Sequence, residues 1–193
     1  HSSVVGYLEV LRGEVEVGER VAILGAGGIG FDVAEFLTDG GEDTSRDIPA
    51  FLASWGVDAA HSTPGGLIPA TAPRSPRQVT LLQRKSSKVG AGLGKTTGWI
   101  HRTELQKRGV RMVAGAAYDR IDDEGLHYLV DDEKLVLPVD TIVLCTGQES
   151  NRGLYDDLLA LGVSAHVIGG ADIAAELDAK RAIDQGTRVA ASL

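Results

Sequence analysis

Three features of the sequence predict an α/β fold: a parallel sheet with a small antiparallel meander beside it. First, Val21-Ala22-Ile23-Leu24 and Thr141-Ile142-Val143-Leu144-Cys145 have the length and unbroken hydrophobicity of parallel strands covered on both faces. Second, the earlier run leads straight into Gly25-Ala26-Gly27-Gly28-Ile29-Gly30. Apolar residues at helical spacing follow (Ile29, Val33, Phe36, Leu37), until Gly40-Gly41 stops the helix. Third, Ala117 to Ile121, Leu126 to Val130 and Leu135 to Val139 are short strand-like runs separated by acidic turns. The succession strand, helix, strand, helix with right-handed crossovers implies a doubly wound sheet.

The remaining elements follow in chain order. The amphipathic stretch Val4 to Leu11 predicts a short helix, and the polar run Arg12 to Arg20 a connector, so residues 1–20 read as a lead-in from another domain. Asp39 to Arg77 carries five of the six prolines (Pro49, Pro64, Pro69, Pro73, Pro76). It reads as an insertion with one helix, from Asp47 as N-cap to Trp55. Gln78 to Gln83 is the second strand of the sheet. A glycine-rich loop, Gly90 to Gly98, leads to a helix from Trp99 to Arg108 that Gly109 closes at C′. Arg111 to Val113 is a further short strand. The meander turns are Asp122-Asp123-Glu124-Gly125 and the solvated Asp131-Asp132-Glu133-Lys134. After Cys145 the tail reads as a strand (His166 to Ile168), a Gly169-Gly170 turn and a helix from Ile173 to about Ala190.

Composition narrows the function classes. A chain of 193 residues, 43% hydrophobic and 24% charged, is neither disordered nor fibrous. No apolar run approaches the ~20 residues of a membrane helix, and no basic-then-apolar leader opens the chain. Met112 is the only methionine, so a chain opening at His1 is expected to be a fragment or a processed product. The single cysteine, Cys145, excludes an internal disulfide, fits a reducing cytoplasm and reads as a core residue. His61, His101, His127 and His166 fall on different elements, so no metal site is expected.

The net charge of −8 is unevenly spread. Gln83 to Arg111 holds eight basic residues (Arg84, Lys85, Lys88, Lys95, Arg102, Lys107, Arg108, Arg111) against Glu104 alone. That segment is +7, which leaves −15 for the rest. Nucleic acid is not an expected partner, because duplex affinity needs many distributed phosphate contacts. One small polyanion is.

The glycine motif supplies its natural place. G-x-G-x-x-G after a strand and opening a helix is the dinucleotide fingerprint. Gly25 permits the tight turn, Gly27 has no Cβ to hold the pyrophosphate away, and Gly30 lets helix and strand pack closely. The amides of Gly28 and Ile29 open the helix toward the phosphates. An acid at the end of the second strand would bind the adenine ribose of NADH, but the sequence there is Gln83-Arg84-Lys85. A planar arginine fork and a second cation suit the 2′-phosphate of NADPH. Lys95 and Arg102, from the same segment, are further expected NADPH contacts. So are Thr146, Gly147 and Gln148 at the end of the last sheet strand. Gly92-Leu93-Gly94-Lys95-Thr96 is not a P-loop, since the position five before Gly94 is Val89.

These residues resemble a known family. Gly25 to Asp32, Pro73 to Gln78, Leu82 to Lys85, Gly92 to Arg102, Glu176 to Ile183 and Gly186 to Arg188 are similar to bacterial NADPH-dependent 2,4-dienoyl-CoA reductase. The string Gly-Lys-Thr-Thr-Gly-Trp-Ile-His-Arg is the most specific of them. The resemblance implies a larger flavoprotein, with an FMN-binding barrel and a 4Fe-4S cluster in a part that precedes this chain, then FAD and NADPH domains. It implies an NADPH-binding domain over residues 21–152 with the insertion at 39–77, and the C-terminal part of an FAD domain over 153–193. Gly170 and Asp172 would form half of the FAD site, and no catalytic residue would lie in this chain. Ser150 stands where the family has proline after Thr-Gly. Related amine dehydrogenases offer the alternative of a structural adenine-nucleotide module without turnover, against which Arg84 and Lys85 argue.

Overall fold

Val21, Ala22, Ile23 and Leu24 are each 5% exposed or less, as a strand flanked and covered on all sides must be. They form β2 (Arg20–Leu24) at the centre of a five-stranded, wholly parallel sheet. Its other strands are β1 (Val4–Gly6), β3 (Gln78–Leu82), β4 (Arg111–Val113) and β8 (Thr141–Leu144), in the order β1-β8-β2-β3-β4. The structure is a computed structural model and describes every residue except 42, 43, 45, 72, 73, 176 and 177. Pro73 of the insertion, and Glu176 and Leu177 of the expected tail helix, therefore lie outside the described residues. The described chain divides into two units, His1–Cys145 and Thr146–Leu193.

Alternation along the strands assigns the two faces of the sheet. Val21, Ile23, Val79, Leu81 and Val143 point to one core with Phe31, Val33, Ala34 and Leu37 of α2 (Gly28–Thr38) and Leu105 of α4 (Gly98–Lys107). Ala22, Leu24, Leu82 and Ile142 point to the other, against Leu126 and Tyr128 of the meander. That meander is β5 (Ala117–Asp122), β6 (Gly125–Val130) and β7 (Glu133–Leu137), antiparallel in the order β5-β6-β7. Helices thus cover one face and a small sheet the other, so the meander stands where a doubly wound sheet carries its second helical layer. Asp131 and Asp132, at φ 48° and 65°, make the two-residue hairpin turn, so β7 begins at Glu133, inside the expected turn.

Other expectations are corrected. Val4 to Leu11 was expected to be one helix. Instead Val4–Gly6 extends alongside β8 as an edge strand, and only Tyr7–Leu11 (α1) is helical. Pairing with Ile142, Val143 and Leu144 outweighs the weak helical preference of two valines and a glycine. In α2, Phe36 is 51% exposed and Phe31 is buried, because the inward arc runs through Gly30, Val33, Ala34 and Leu37. The tail has no strand at His166 to Ile168. It holds three helices, α5 (Gly153–Ala160), α6 (Gly169–Asp172) and α7 (Ala179–Ser192). The expected glycine turn is the start of α6, and α7 begins later than expected because Asp178 caps it, accepting from the Arg181 amide at 2.7 Å.

The insertion holds α3 (Ile48–Ser54), capped by Asp47 as expected. Its following loop is organised by a residue that no motif flagged. The Asp58 carboxylate accepts from the amides of Ala60, Ser62 and Thr63 and from the hydroxyls of Ser62 and Thr63, at 2.6–3.0 Å. The hydroxyl bonds of Ser62 and Thr63 hold its pKa down, to about 2. A lowered carboxylate pKa stabilises the fold above the ordinary value near 3.8, and that contribution fades as pH falls toward about 2. Asp58→Ala should therefore make residues 58–67 the first site of limited proteolysis at neutral pH and leave the sheet folded. The wild-type loop should approach comparable susceptibility only as pH falls to about 2, where the carboxylate becomes protonated. Equal protease resistance in variant and wild type at pH 7 would contradict the cage.

Candidate functional site

The sheet reverses its order at β2. The chain steps outward through β3 and β4 on one side, and β8 and β1 lie on the other. Ligands of open α/β sheets approach at such a point, beyond the carboxyl ends of the strands. Here the Cys145 amide donates to the Leu24 carbonyl at 2.8 Å and the Gly25 amide to the Leu82 carbonyl at 2.9 Å, which registers three strand ends around one turn.

The turn Gly25 to Gly30 divides its glycines by what surrounds them. Gly25 sits at φ +109°, closed to ordinary side chains. A Cβ on Gly30 would collide with the Gly25 carbonyl and touch Leu81 Cδ1 at 3.4 Å, so the helix can lie this close only on a glycine. A Cβ on Gly27 or Gly28 would meet nothing within 4 Å. Gly27, the N-cap, is in ordinary extended conformation (φ −81°), and no side-chain hydrogen bond caps the helix. Neither fold nor backbone demands glycine there, whereas a pyrophosphate drawn against the N-terminal amides of α2 does. The residues present fit a dinucleotide.

The basic segment resolves into two groups. Arg102 donates from Nε to the Val89 carbonyl and from its terminal nitrogen to the Gly90 carbonyl, both at 3.0 Å. Lys107 donates to the Ser54 carbonyl and stacks 3.8 Å over the Trp55 ring. Arg108 donates to the Glu35 carbonyl near the end of α2, and Arg111 to the Tyr128 hydroxyl. These four stitch the fold together, and Arg102, an expected cofactor contact, also holds the loop at Val89 and Gly90. Arg84, Lys85, Lys88 and Lys95 instead stand exposed on the loop after β3. The start of that loop is firm: Val89 is buried, and Gly90, at φ +77°, faces Phe31 where a Cβ would crowd the ring. Beside Arg84, burial pushes the Tyr118 hydroxyl up in pKa, and the guanidinium partly opposes that rise. Gln83, between β3 and these cations, donates from Nε2 to the Lys85 carbonyl at 2.9 Å and to the Ser87 carbonyl at 2.7 Å.

At Gly92-Leu93-Gly94-Lys95-Thr96 the Leu93 amide donates to the Gly90 carbonyl, and the amides of Thr97 and Gly98 turn back to the Gly94 carbonyl. Cys145 is half-buried and burial pushes its thiol up to about 12, so it is neutral at physiological pH. His101 lies 3.4 Å from Glu35 with Glu104 nearby, and His127 lies 2.7 Å from Asp122 with Glu124 nearby. Sequence distance hid the first, through Glu35, whereas the second lies within six residues across the β5–β6 hairpin, and in each a carboxylate already engages the imidazole.

Thr146, Gly147 and Gln148 open the second unit and are exposed, with Gly147 at φ +77°. In the same unit Gly170 is part of α6, and the Asp172 carboxylate accepts from Gln185 Nε2 at 2.9 Å. Gln185 in turn takes the Gly169 amide on its Oε1 at 2.7 Å, and Arg152 donates to the carbonyls of Ala171 and Asp172. Asp172 therefore has a local structural role joining α6 to α7. Among the described residues no helix is long and apolar enough to cross a membrane.

A Rossmann-like sheet with an open glycine turn at its order reversal defines a dinucleotide-binding domain. The chain belongs to the pyridine nucleotide-disulphide oxidoreductase family, whose pattern matches residues 7–178. It is 24% identical over 163 residues to a "Metal reductase" of Desulforamulus reducens, covering 84% of this chain and 23% of that protein. The fold is shared with a 2-naphthoyl-CoA reductase in complex with 2-naphthoyl-CoA (TM-score 0.66, 16% identity, 96% of this chain and 23% of the other). It is shared too with histamine dehydrogenase from Rhizobium sp. 4-9 (TM-score 0.65, 16% identity, 99% and 26%). The chain thus spans about a quarter of the length of these proteins.

The two kinds of glycine predict opposite behaviour. Gly30→Ala should cost about 2 kcal/mol or more, the range of overpacking, and lower Tm by roughly 4–8 °C. Gly27→Ala should melt with the wild type yet bind dinucleotide poorly. Thermal melts with and without added NADPH read both, and a Gly27→Ala protein that binds normally would remove the pyrophosphate from this turn.

Proposed function

We propose that this chain is the NADPH-binding part of a multidomain flavoprotein reductase of the 2,4-dienoyl-CoA reductase kind. The observation that carries the reading is the pairing of an open glycine turn with exposed Arg84 and Lys85 just past the neighbouring strand, where an acid would serve NADH. When bound, NADPH would supply hydride for reduction of a flavin. The chain's own residues bind and orient: Gly25 to Gly30 seat the pyrophosphate, and Arg84 and Lys85 hold the 2′-phosphate. Lys95 adds charge, and Arg102 keeps the loop in place through Val89 and Gly90. On this reading residues 153–193 belong to the FAD domain, and Gly170 and Asp172 are its half-site. FMN and the 4Fe-4S cluster belong to the part that precedes this chain. The chain's coverage of only about a quarter of its relatives supports a division of labour of this kind.

Each charge-assisted phosphate contact contributes roughly 1.5–3 kcal/mol, so Arg84→Ala/Lys85→Ala should cut the NADPH-over-NADH preference on the order of 10²-fold. Titration of both cofactors reads it, and an unchanged ratio would make the pair a solvated face. Equal wild-type affinity for NADPH and ADP would instead favour an adenine-nucleotide module without turnover. For the substrate class, the complete polypeptide should oxidise NADPH on addition of a 2,4-dienoyl-CoA, and this chain alone should not. Turnover by the isolated chain, or none by the complete protein, would refute that assignment.

A further inference from the structure

Gln83 occupies the position where an acid would select NADH, yet its side chain does not face outward as a ribose ligand would. Its amide nitrogen is shared between the carbonyls of Lys85 and Ser87, at 2.9 and 2.7 Å. Two carbonyl partners dictate the orientation of the amide, since only the NH₂ end can donate to both. The backbone braces the same place. The Gln83 amide donates to Val113, the Ala116 amide to Gln83, and the Gly115 amide to the same Lys85 carbonyl that the side chain reaches. The five residues that follow, Arg84 to Lys88, are all exposed and carry three cations and two hydroxyls. A turn of that composition, with the Lys85 and Ser87 carbonyls engaged by Gln83, exposes donors and positive charge and has two fewer acceptors to repel a phosphate.

We infer that Gln83 is a positioning residue for dinucleotide choice: it folds the Arg84–Lys88 turn into a preformed site for the 2′-phosphate. It also removes the carboxylate that would bind the ribose of NADH. The inference rests on the NADPH reading and deepens it by naming what shapes the site. Order in the turn before binding lowers the cost of immobilising long basic side chains on it. Ser86 and Ser87 join Arg84, Lys85 and Lys88 as donors to the same group. A glutamate at position 83 would reverse both effects, because its carboxylate is repelled by the two carbonyls and is left to accept from ribose hydroxyls.

The test compares two ligands that differ only in the 2′-phosphate, adenosine 2′,5′-bisphosphate and adenosine 5′-monophosphate, titrated into wild type, Gln83→Leu and Gln83→Glu. Gln83→Leu should weaken the bisphosphate about tenfold and leave the monophosphate within about twofold. Gln83→Glu, close in shape, should show the same selective loss and shift preference from NADPH toward NADH. Equal weakening of both ligands would make Gln83 merely structural, and no change in either would mean the turn forms without it. Either result overturns the inference. A wild type that does not distinguish the two ligands would overturn the NADPH reading itself. Wild-type discrimination that persists in both variants would overturn only the role of Gln83.

Discussion

The distance between α2 and the end of β2 governs the rest of the first unit. It is set where Gly30 passes the Gly25 carbonyl with no room for a Cβ. Because helix and strand meet there, Phe31, Val33, Ala34 and Leu37 reach the face formed by Val21, Ile23, Val79 and Leu81. The same approach aims the first amides of α2 at the space in front of Gly27, where no atom of the chain lies within reach of a Cβ. Core packing and anion binding are therefore two consequences of one contact. Phe31 extends it further: its ring lies where Gly90 needs to be a glycine, so the loop carrying the cations is seated on the helix that faces the pyrophosphate.

Charge on this protein cannot be read as a sum. The +7 segment suggested a polyanion site of eight basic residues, and four of them serve backbone carbonyls, an aromatic ring or a tyrosine hydroxyl. Helix and loop ends expose carbonyls that need donors, and arginine, with five N–H groups, satisfies several at once. Arg108 reaches the Glu35 carbonyl and Arg77 the Leu37 carbonyl, so the last turn of α2 is closed by two guanidiniums from outside it. The other four, Arg84, Lys85, Lys88 and Lys95, are exposed on the loop after β3, a smaller patch than the composition implied.

Elements with strong local periodicity were legible in the sequence: β2, β3, β8, the meander, and α4 with Gly109 at its end. The glycine fingerprint was legible because each glycine has a steric task that a spacing rule captures. Other features depend on partners far along the chain. Val4–Gly6 is a strand only because β8 arrives more than a hundred residues later. The division of the basic residues depends on which carbonyls they meet. In the tail, α5 went unrecognised although Gly162, at φ +72°, closes the run Leu158-Leu159-Ala160-Leu161, its amide turning back to Leu159 and that of Val163 to Leu158. Asp58 and Gln83 were invisible for another reason: both act on backbone groups within a few residues of themselves, and no residue-type pattern announces that.

The meander side of the sheet braces the end of β3 with backbone groups. A helix on that face would present side chains to the sheet. The segment between β4 and β5 presents backbone amides instead, with Gly115 donating to Lys85 and Ala116 to Gln83. The Tyr118 hydroxyl then reaches the Leu82 carbonyl at 3.2 Å, the last residue of β3 before the basic turn. Tyr118 is held in turn by the second core, whose buried members Leu126 and Tyr128 pack against Ala22, Leu24 and Ile142 of the parallel strands. The turn carrying Arg84 and Lys85 is consequently anchored to both layers: through Val89, Gly90 and Arg102 to the helical face, and through Gln83, Gly115 and Tyr118 to the meander. A loop fixed from two sides holds its backbone in place before any ligand arrives, so less order remains to be imposed when one binds.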